Sequence, residues 1–385
     1  MKIIERLLTN RMLAELDAGK VIILLGARQV GKTTLIRSVY GGEGTIYLNL
    51  DIQIEQARLQ AAGDLTPEAA IGYLGGGDTI IIDEAQRLPA VGRIVKGWYD
   101  SDLPVKCVLL GSAGLNILDK TAEPLTGRNI KYYLTPLLFE EVLRHQDWFG
   151  EGIDLSRFGS QIELLRQQFL VLGGYPEVIT NSDPVLVLQT VYQDYLFKDV
   201  YGLELVGSRA KLQKLLSLLA YQVGSEFSTH ELANQLGISR NTIDRYLEIL
   251  EDTFVIFRLQ AWSRNPRKEL SKKSKIYFWD NGIRNAAINN FSPFEQRSDQ
   301  GALWENFMVS EMIKRDLTLD QRQRFYFWRT YSGSEVDLVI QKDESLRAIE
   351  IKSRSTRLSS KIFENSYQTR VELVHPGHYL DYVMG

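Results

Sequence analysis

The sequence predicts an α/β chain: a parallel sheet built around a phosphate-binding loop, then a helical and winged-helix region, then a C-terminal α/β domain. Three observations predict this. The apolar run Val21–Leu25 leads through a glycine loop into a helix pattern over Lys32–Tyr40, which stops at Gly41-Gly42. Two short helix patterns flank the turn Gly237-Ile238-Ser239. An alternating strand through Asp337 turns back, by way of Lys342-Asp343-Glu344, into a second strand carrying Glu350 and Lys352. These landmarks divide the chain into residues 1–145, 146–222, 223–285 and 286–385.

The length of 385 residues leaves room for two or three cores, and 44% hydrophobic with 24% charged residues is the composition of a water-soluble globular protein. No apolar run reaches the roughly 18–20 residues of a membrane-spanning helix. The start, Met-Lys-Ile-Ile-Glu-Arg, does not read as a signal peptide. A lone Cys107 inside an apolar strand pattern cannot form an internal disulfide and favours a cytoplasmic protein. The net charge of −3 points to no nucleic-acid partner by itself, so any basic surface is local.

In the first region, Gly26-Ala27-Arg28-Gln29-Val30-Gly31-Lys32-Thr33 fits the P-loop pattern G-x-x-x-x-G-K-[ST], with Thr34 following. Its loop N–H groups and the helix start suit an anion. Lys32 is expected to reach the β/γ-phosphates of ATP, and the Thr33 hydroxyl to bind Mg²⁺. Thr79–Asp83 is an apolar strand that ends in Asp83-Glu84. It is expected beside the strand that feeds the loop, with Asp83 holding Mg²⁺ and Glu84 orienting or deprotonating the attacking water. A third strand, Val105–Leu110, ends in Gly111-Ser112. Ser112 is either a γ-phosphate sensor or a helix N-cap. Arg128, in Leu125-Thr-Gly-Arg128, either stabilises phosphoryl charge or makes a surface ion pair. If it contacts phosphate, it does so within the chain or across a subunit interface of a homo-oligomer.

The loop, the run Ile-Ile-Ile-Asp-Glu-Ala-Gln, Leu-Thr-Gly-Arg followed by Leu-Thr-Pro-Leu, Gly173-Gly-Tyr-Pro-Glu177 and Lys275-Ile-Tyr-Phe-Trp-Asp280 together resemble one family. It is that of the prokaryotic AAA-type ATPases with a C-terminal DUF4143 domain. The resemblance runs from about residue 5 to about residue 355. It implies a P-loop NTPase (AAA-type) core that hydrolyses ATP with Mg²⁺.

Residues 146–222 read as a helical lid or linker, with apolar spacing at Leu212, Leu215, Leu216 and Leu219 broken earlier by Gly173-Gly174 and Pro176. Next, Ser228–Leu236 and Arg240–Glu251 read as a helix-turn-helix, its inward face Ile243, Tyr246, Leu247 and Leu250. Arg240, Asn241 and Arg245 are residue types that contact grooves or phosphates. Strands Phe254–Trp262 and Lys275–Trp279 then form a wing, with Arg264, Arg267, Lys268, Lys272, Lys273 and Lys275 as its basic side chains. Double-stranded DNA is the expected partner; winged helices also serve as protein-interaction modules.

In the last region Glu350 and Lys352 share a strand face, and the hairpin returns Asp337 to them. Glu305, in the helix pattern Leu303-Trp-Glu-Asn-Phe-Met, adds a fourth group. An acid followed by Glu-x-Lys after a hairpin resembles the PD-(D/E)xK superfamily, which implies a restriction-endonuclease-like fold and a divalent ion for phosphodiester attack. The plain alternative is the polar face of a hairpin with solvated charges. The leading expectation is an ATPase coupled to a DNA-engaging module. The others are an ATP-regulated nuclease, and an ATP-dependent switch or adaptor acting on a protein partner without cutting.

Overall fold

The computed structural model describes residues 3–15, 19–111, 125–150, 152–195, 208–263, 274–330, 333–354 and 361–384. The chain divides into two compact units, one of Arg6–Thr135 with Asp252–Phe254, the other of Met1–Glu5, Pro136–Glu251 and Val255–Gly385. No described helix is long and apolar enough to cross a membrane.

The first unit is a five-stranded sheet of β1 (Val21–Leu25), β2 (Thr45–Asn49), β3 (Thr79–Asp83), β4 (Lys106–Gly111) and β5 (Asn129–Tyr133), in the order β2-β3-β4-β1-β5. Every pairing is parallel. β1 and β3 are buried at all their positions, as strands covered on both faces must be, which is why both read as unbroken apolar runs. The crossovers from β1 to β2, from β2 to β3 and from β3 to β4 are helical. The Pro67–Leu74 helix shows the local logic: Thr66 caps Ala69 N–H at 3.4 Å, Pro67 opens the first turn, and Gly75, at φ 122°, ends it.

One expectation is corrected here. β3 does not lie beside β1, because β4 runs between them. β4 is buried from Cys107 to Gly111, which suits a central strand, whereas β2 is only half-buried and takes the edge. The strand that ends at Gly111 therefore sits between the loop strand and the Asp83 strand.

The second unit holds a six-stranded sheet: β6 (Ile256–Ala261), β7 (Ser274–Phe278), β8 (Arg324–Arg329), β9 (Glu335–Lys342), β10 (Ser345–Ile351) and β11 (Val371–Val374), ordered β11-β10-β9-β8-β6-β7. This departs from the separate regions 223–285 and 286–385. The β6–β7 hairpin is not a free wing. β6 pairs in parallel with β8 at Gln260↔Tyr326 and Ala261↔Phe327, and Trp262 N–H donates to the Phe327 carbonyl at 2.7 Å. Trp262 is then buried with Trp328, Val336, Val339, Ala348, Phe363 and Val371. Sheet continuity and that shared apolar cluster fuse the two regions.

Ahead of the hairpin come the helices Arg209–Tyr221, Thr229–Leu236 and Arg240–Asp252. Ser228 caps the second through Glu231 N–H at 3.4 Å, and Gly237, at φ 60°, ends it. The third buries Ile243, Tyr246, Leu247 and Leu250, the face its spacing predicts.

Two sequence stretches quoted for the family resemblance meet in this unit. Gly174 N–H donates to Asp280 Oδ2 at 2.7 Å, and a Cβ on Gly173 would stand 2.0 Å from Asp280 Oδ1. Asn281 and Asn285 donate to the Leu170 carbonyl, each at 3.3 Å, and Asn306 donates to Asn281 Oδ1 at 2.6 Å. Buried Arg284 donates to the Ala220 carbonyl at 2.7 Å and to Asp299. Each of these buried polar groups has a hydrogen-bond partner, which a buried network requires. Their place in the core gives both stretches a packing role.

Candidate functional site

The glycine loop follows directly from the end of β1. Leu134 N–H donates to the Leu25 carbonyl at 2.7 Å, and a Cβ on Gly26 would lie 2.0 Å from the Leu134 oxygen, so only glycine fits there. Gly31 begins the Lys32–Tyr40 helix at φ 94°, again a glycine conformation. Ala27 and Val30 are buried under the loop, while Gln29 and Thr34 are exposed. Arg6 pins the loop from outside the motif, donating to the carbonyls of Val30 at 2.8 Å and Thr135 at 2.7 Å. Lys32 is buried, and its ammonium donates to the carbonyls of Gly26 at 2.9 Å and Ala27 at 2.7 Å. The charge is thus held inside the loop's own curve.

The loop and the end of β3 meet through Thr33. Its hydroxyl donates to Asp83 Oδ2 at 2.8 Å, and Asp83 Oδ1 accepts Glu84 N–H at 2.9 Å. The Tyr47 hydroxyl, from β2, donates to the same Asp83 oxygen. Burial first, and then that carboxylate, push the Tyr47 phenol up to about 12, so it stays a donor. A hydroxyl and a carboxylate gathered at a helix start make a hard oxygen set, and they fit Mg²⁺. Glu84 has left-handed backbone, φ 53° and ψ 42°, which turns the chain sharply out of β3. Its carboxylate accepts from Gln86 Nε2 at 2.5 Å and lies 3.9 Å from an Arg28 nitrogen. Loop residue and acid therefore face one another. Sequence reasoning missed Arg6 and Tyr47; neither belongs to a motif, and only the tertiary fold brings them in.

Arg128 is not at this loop. Its carbonyl accepts Val21 N–H at 2.9 Å, which places it at the start of β1, while the loop leaves from the other end. Five strand residues at about 3.3 Å each separate the two ends. Its guanidinium pairs with Asp100, Nε to Oδ1 at 2.6 Å, and is partly exposed. A contact with phosphate within the chain is thereby corrected to the surface ion pair. Ser112 lies outside the described residues, as do Arg264, Arg267, Lys268, Lys272 and Lys273.

In the second unit the β9–β10 hairpin brings Asp337, Glu350 and Lys352 together as its register requires. Pairing at Ile349↔Leu338, continued by one residue, sets Glu350 opposite Asp337. Lys352 Nζ lies 3.4 Å from Asp337 Oδ2 and 3.3 Å from Glu350 Oε1, and Ile351 N–H donates to Asp337 Oδ2 at 2.7 Å. Glu305 comes from the Gln300–Leu319 helix and accepts from Tyr277 OH at 2.7 Å. Burial, and then the Glu305 charge, raise the Asp337 carboxyl to about 7. Lys275 belongs to this cluster and not to a basic wing. It is 2% exposed, with Nζ 2.5 Å from Glu335 Oε1 and 3.3 Å from Glu305 Oε1. Among the described residues no group of three or more His, Cys, Asp or Glu is arranged to hold a metal ion. Asp337 and Glu350, the two carboxylates to which the PD-(D/E)xK resemblance assigns a divalent ion, do converge on one face, with Lys352 between them.

On the Arg240–Asp252 helix, Arg240, Asn241 and Arg245 are all exposed. Arg240 approaches Asp244 at 3.9 Å, a loose surface pair of little energetic weight.

Residues 18–143 match the family described as AAA domain, residues 163–293 a domain of unknown function, DUF8612, and residues 300–380 another, DUF4143. An uncharacterized protein of Mycobacterium tuberculosis is 28% identical over 379 residues, covering 96% of this chain and 79% of the relative. An uncharacterized protein of Methanocaldococcus jannaschii is 26% identical over 343 residues, 85% of this chain and 73% of its own length. Among solved structures, a Walker-type ATPase of Pyrococcus abyssi aligns with TM-score 0.50 at 16% identity, over 74% of this chain and 96% of that one. At that identity the likeness concerns the fold.

Proposed function

We propose that this chain, which carries an AAA domain and a C-terminal DUF4143 domain, binds and hydrolyses ATP with Mg²⁺ at the mouth of the Gly26–Thr34 loop. One observation carries the reading: Lys32, Thr33 and Asp83 are gathered at one loop, with Glu84 directly after Asp83 and facing Arg28. The loop N–H groups and the Lys32 ammonium bind the phosphates, and Lys32 exchanges its loop carbonyls for phosphate oxygens. Thr33 and Asp83 hold Mg²⁺, which when bound neutralises charge on the β- and γ-phosphates. Tyr47 and the Glu84 N–H fix the Asp83 carboxylate from two sides. Glu84 accepts a proton from the attacking water. Lys32→Ala is expected to abolish tight nucleotide binding, while Glu84→Gln keeps binding and loses turnover. Turnover in Glu84→Gln at the wild-type rate would remove Glu84 from the role of base.

ATP turnover is coupled, in this reading, to engagement of double-stranded DNA through the Arg240–Asp252 helix. The exposed Arg240, Asn241 and Arg245 support it. Arg240→Glu with Arg245→Glu is expected to weaken duplex binding and to flatten its salt dependence by about two units of slope, one for each lost phosphate contact. Unchanged affinity and slope would favour a protein partner and the ATP-dependent switch.

A further inference from the structure

The two cations of the glycine loop are placed differently. Lys32 donates back onto the loop, to the Gly26 and Ala27 carbonyls, at 2.9 Å and 2.7 Å. Arg28, the residue after those carbonyls, reaches the end of β3, where its Nη2 lies 3.9 Å from Glu84 Oε2. The backbone turns left-handed directly after it, at Gln29 with φ 58°, so Arg28 stands where the loop reverses. Gln86 Nε2 donates to the same Glu84 oxygen at 2.5 Å. The two contacts are unequal. The Gln86 amide is within hydrogen-bond length and carries no net charge, so an arriving phosphate does not draw it from Glu84. The Arg28 nitrogen is beyond hydrogen-bond length, and an ion pair that long has little energetic weight. A terminal phosphate offers Arg28 more negative charge and several acceptor oxygens, which a guanidinium grips through two parallel N–H groups. A base and the γ-phosphate meet through one water molecule, so a side chain beside Glu84 is also beside the place of the γ-phosphate.

We propose that Arg28 is the residue that tells ATP from ADP at this loop, a role that rests on the ATPase reading of the same site, and that its pair with Glu84 is the resting position it leaves for the γ-phosphate. With ATP bound, the guanidinium contacts γ-phosphate oxygens and balances the charge that develops there. Gln86 meanwhile keeps hold of Glu84 Oε2 and aims the carboxylate at the attacking water. ADP has no γ-phosphate, so with ADP bound Arg28 stays beside Glu84. Arg28 thereby fills, within the chain, the role that Arg128 at the start of β1 is not placed to fill.

The test uses the full chain as wild type, Arg28→Gln, Arg28→Lys and Glu84→Gln. Equilibrium binding of Mg-ADP and of a non-hydrolysable Mg-ATP analogue is measured beside single-turnover phosphate release from Mg-ATP. Arg28→Gln is expected to leave Mg-ADP affinity unchanged and to weaken the ATP analogue by roughly 10–100-fold, the worth of a charge-assisted hydrogen bond. Its phosphate release should slow by roughly a thousandfold or more, as when an arginine on the transferred phosphate is lost. Arg28→Lys keeps the charge without the planar fork and should fall between the two. An Arg28→Gln chain with the wild-type preference for the ATP analogue over ADP would overturn the proposal, because Arg28 then does not meet the γ-phosphate. Equal loss of both affinities would overturn it too, since Arg28 would then serve only the shape of the loop. Either result leaves the ATPase reading standing if Glu84→Gln binds the analogue and releases phosphate slowly. A wild type that binds neither nucleotide overturns both. If Arg28→Gln does not fold, Arg28→Lys decides, and a wild-type preference and release rate in that variant would overturn the proposal.

Discussion

Replacing Asp299 by Asn tests the buried ionic knot of the second unit. Asp299 accepts two hydrogen bonds from Arg297, Nε to Oδ1 and Nη2 to Oδ2, both at 2.8 Å, and one from Arg284. Burial pushes the carboxyl up, and the two guanidiniums more than offset that, leaving it at about 2 against the usual 3.8. That drop corresponds to about 2.4 kcal/mol of preference for the ionised form. The side chain keeps part of its solvent, so the share expected in stability is about 1–1.5 kcal/mol. The variant also deprives Arg284, 1% exposed, of its carboxylate partner and leaves it the Ala220 carbonyl and Asn285 Oδ1, which brings the total to about 3 kcal/mol at pH 7. Because the folded pKa is depressed, the carboxylate's contribution is complete above 3.8 and is lost as pH falls through that value towards about 2. Urea unfolding of wild type and Asp299→Asn at pH 7, 5, 4 and 3 reads this directly. The gap should hold from pH 7 to 5 and narrow between 4 and 3. A gap that stays constant to pH 3 would mean that Asp299 acts by shape and not by charge.

Other outcomes follow from the same geometry. Gly173→Ala meets Asp280 Oδ1 at 2.0 Å and forces a Cβ into a backbone region at φ 76°, ψ −164° that is essentially glycine's own; thermal unfolding should show a loss of about 3 kcal/mol or more. Arg128→Ala, at the end of the sheet away from the loop, should leave the steady-state kcat of an isolated chain unchanged. A fall in kcat that mixing with Glu84→Gln chains rescues would instead place Arg128 at a neighbouring subunit's site.

The nucleotide site was legible because its signals are short-range. Gly31 is demanded by its own backbone and Asp83-Glu84 closes an apolar run that reads as a covered strand, while Gly26, though required by the distant Leu134 carbonyl, is legible from the loop's glycine spacing alone. Strand order was not legible, since which strand fills the gap between β1 and β3 is a tertiary outcome that no spacing encodes. Arg128 misled for the same reason: closeness in sequence to Ser112 does not say at which end of β5 a side chain stands. Lys275 misled because it follows a basic run and was grouped with it. The signal against that grouping was present in the unbroken apolar stretch Ile276–Trp279, since a lysine buried next to it in the same strand needs a carboxylate. The fusion of the hairpin with the C-terminal sheet was foreshadowed only by Trp262, a large aromatic at the end of a strand read as a wing.

In the proposed mechanism Glu84 and the Lys32 loop form one ATP-hydrolysing site. Its most direct test is a paired measurement on wild type and Glu84→Gln: equilibrium binding of Mg-ATP, and phosphate release at saturating ATP. The account predicts equal affinity, with release slowed by about two to four orders of magnitude, the usual worth of a general base. Release at the wild-type rate, or a wild-type chain that does not bind Mg-ATP, would contradict it.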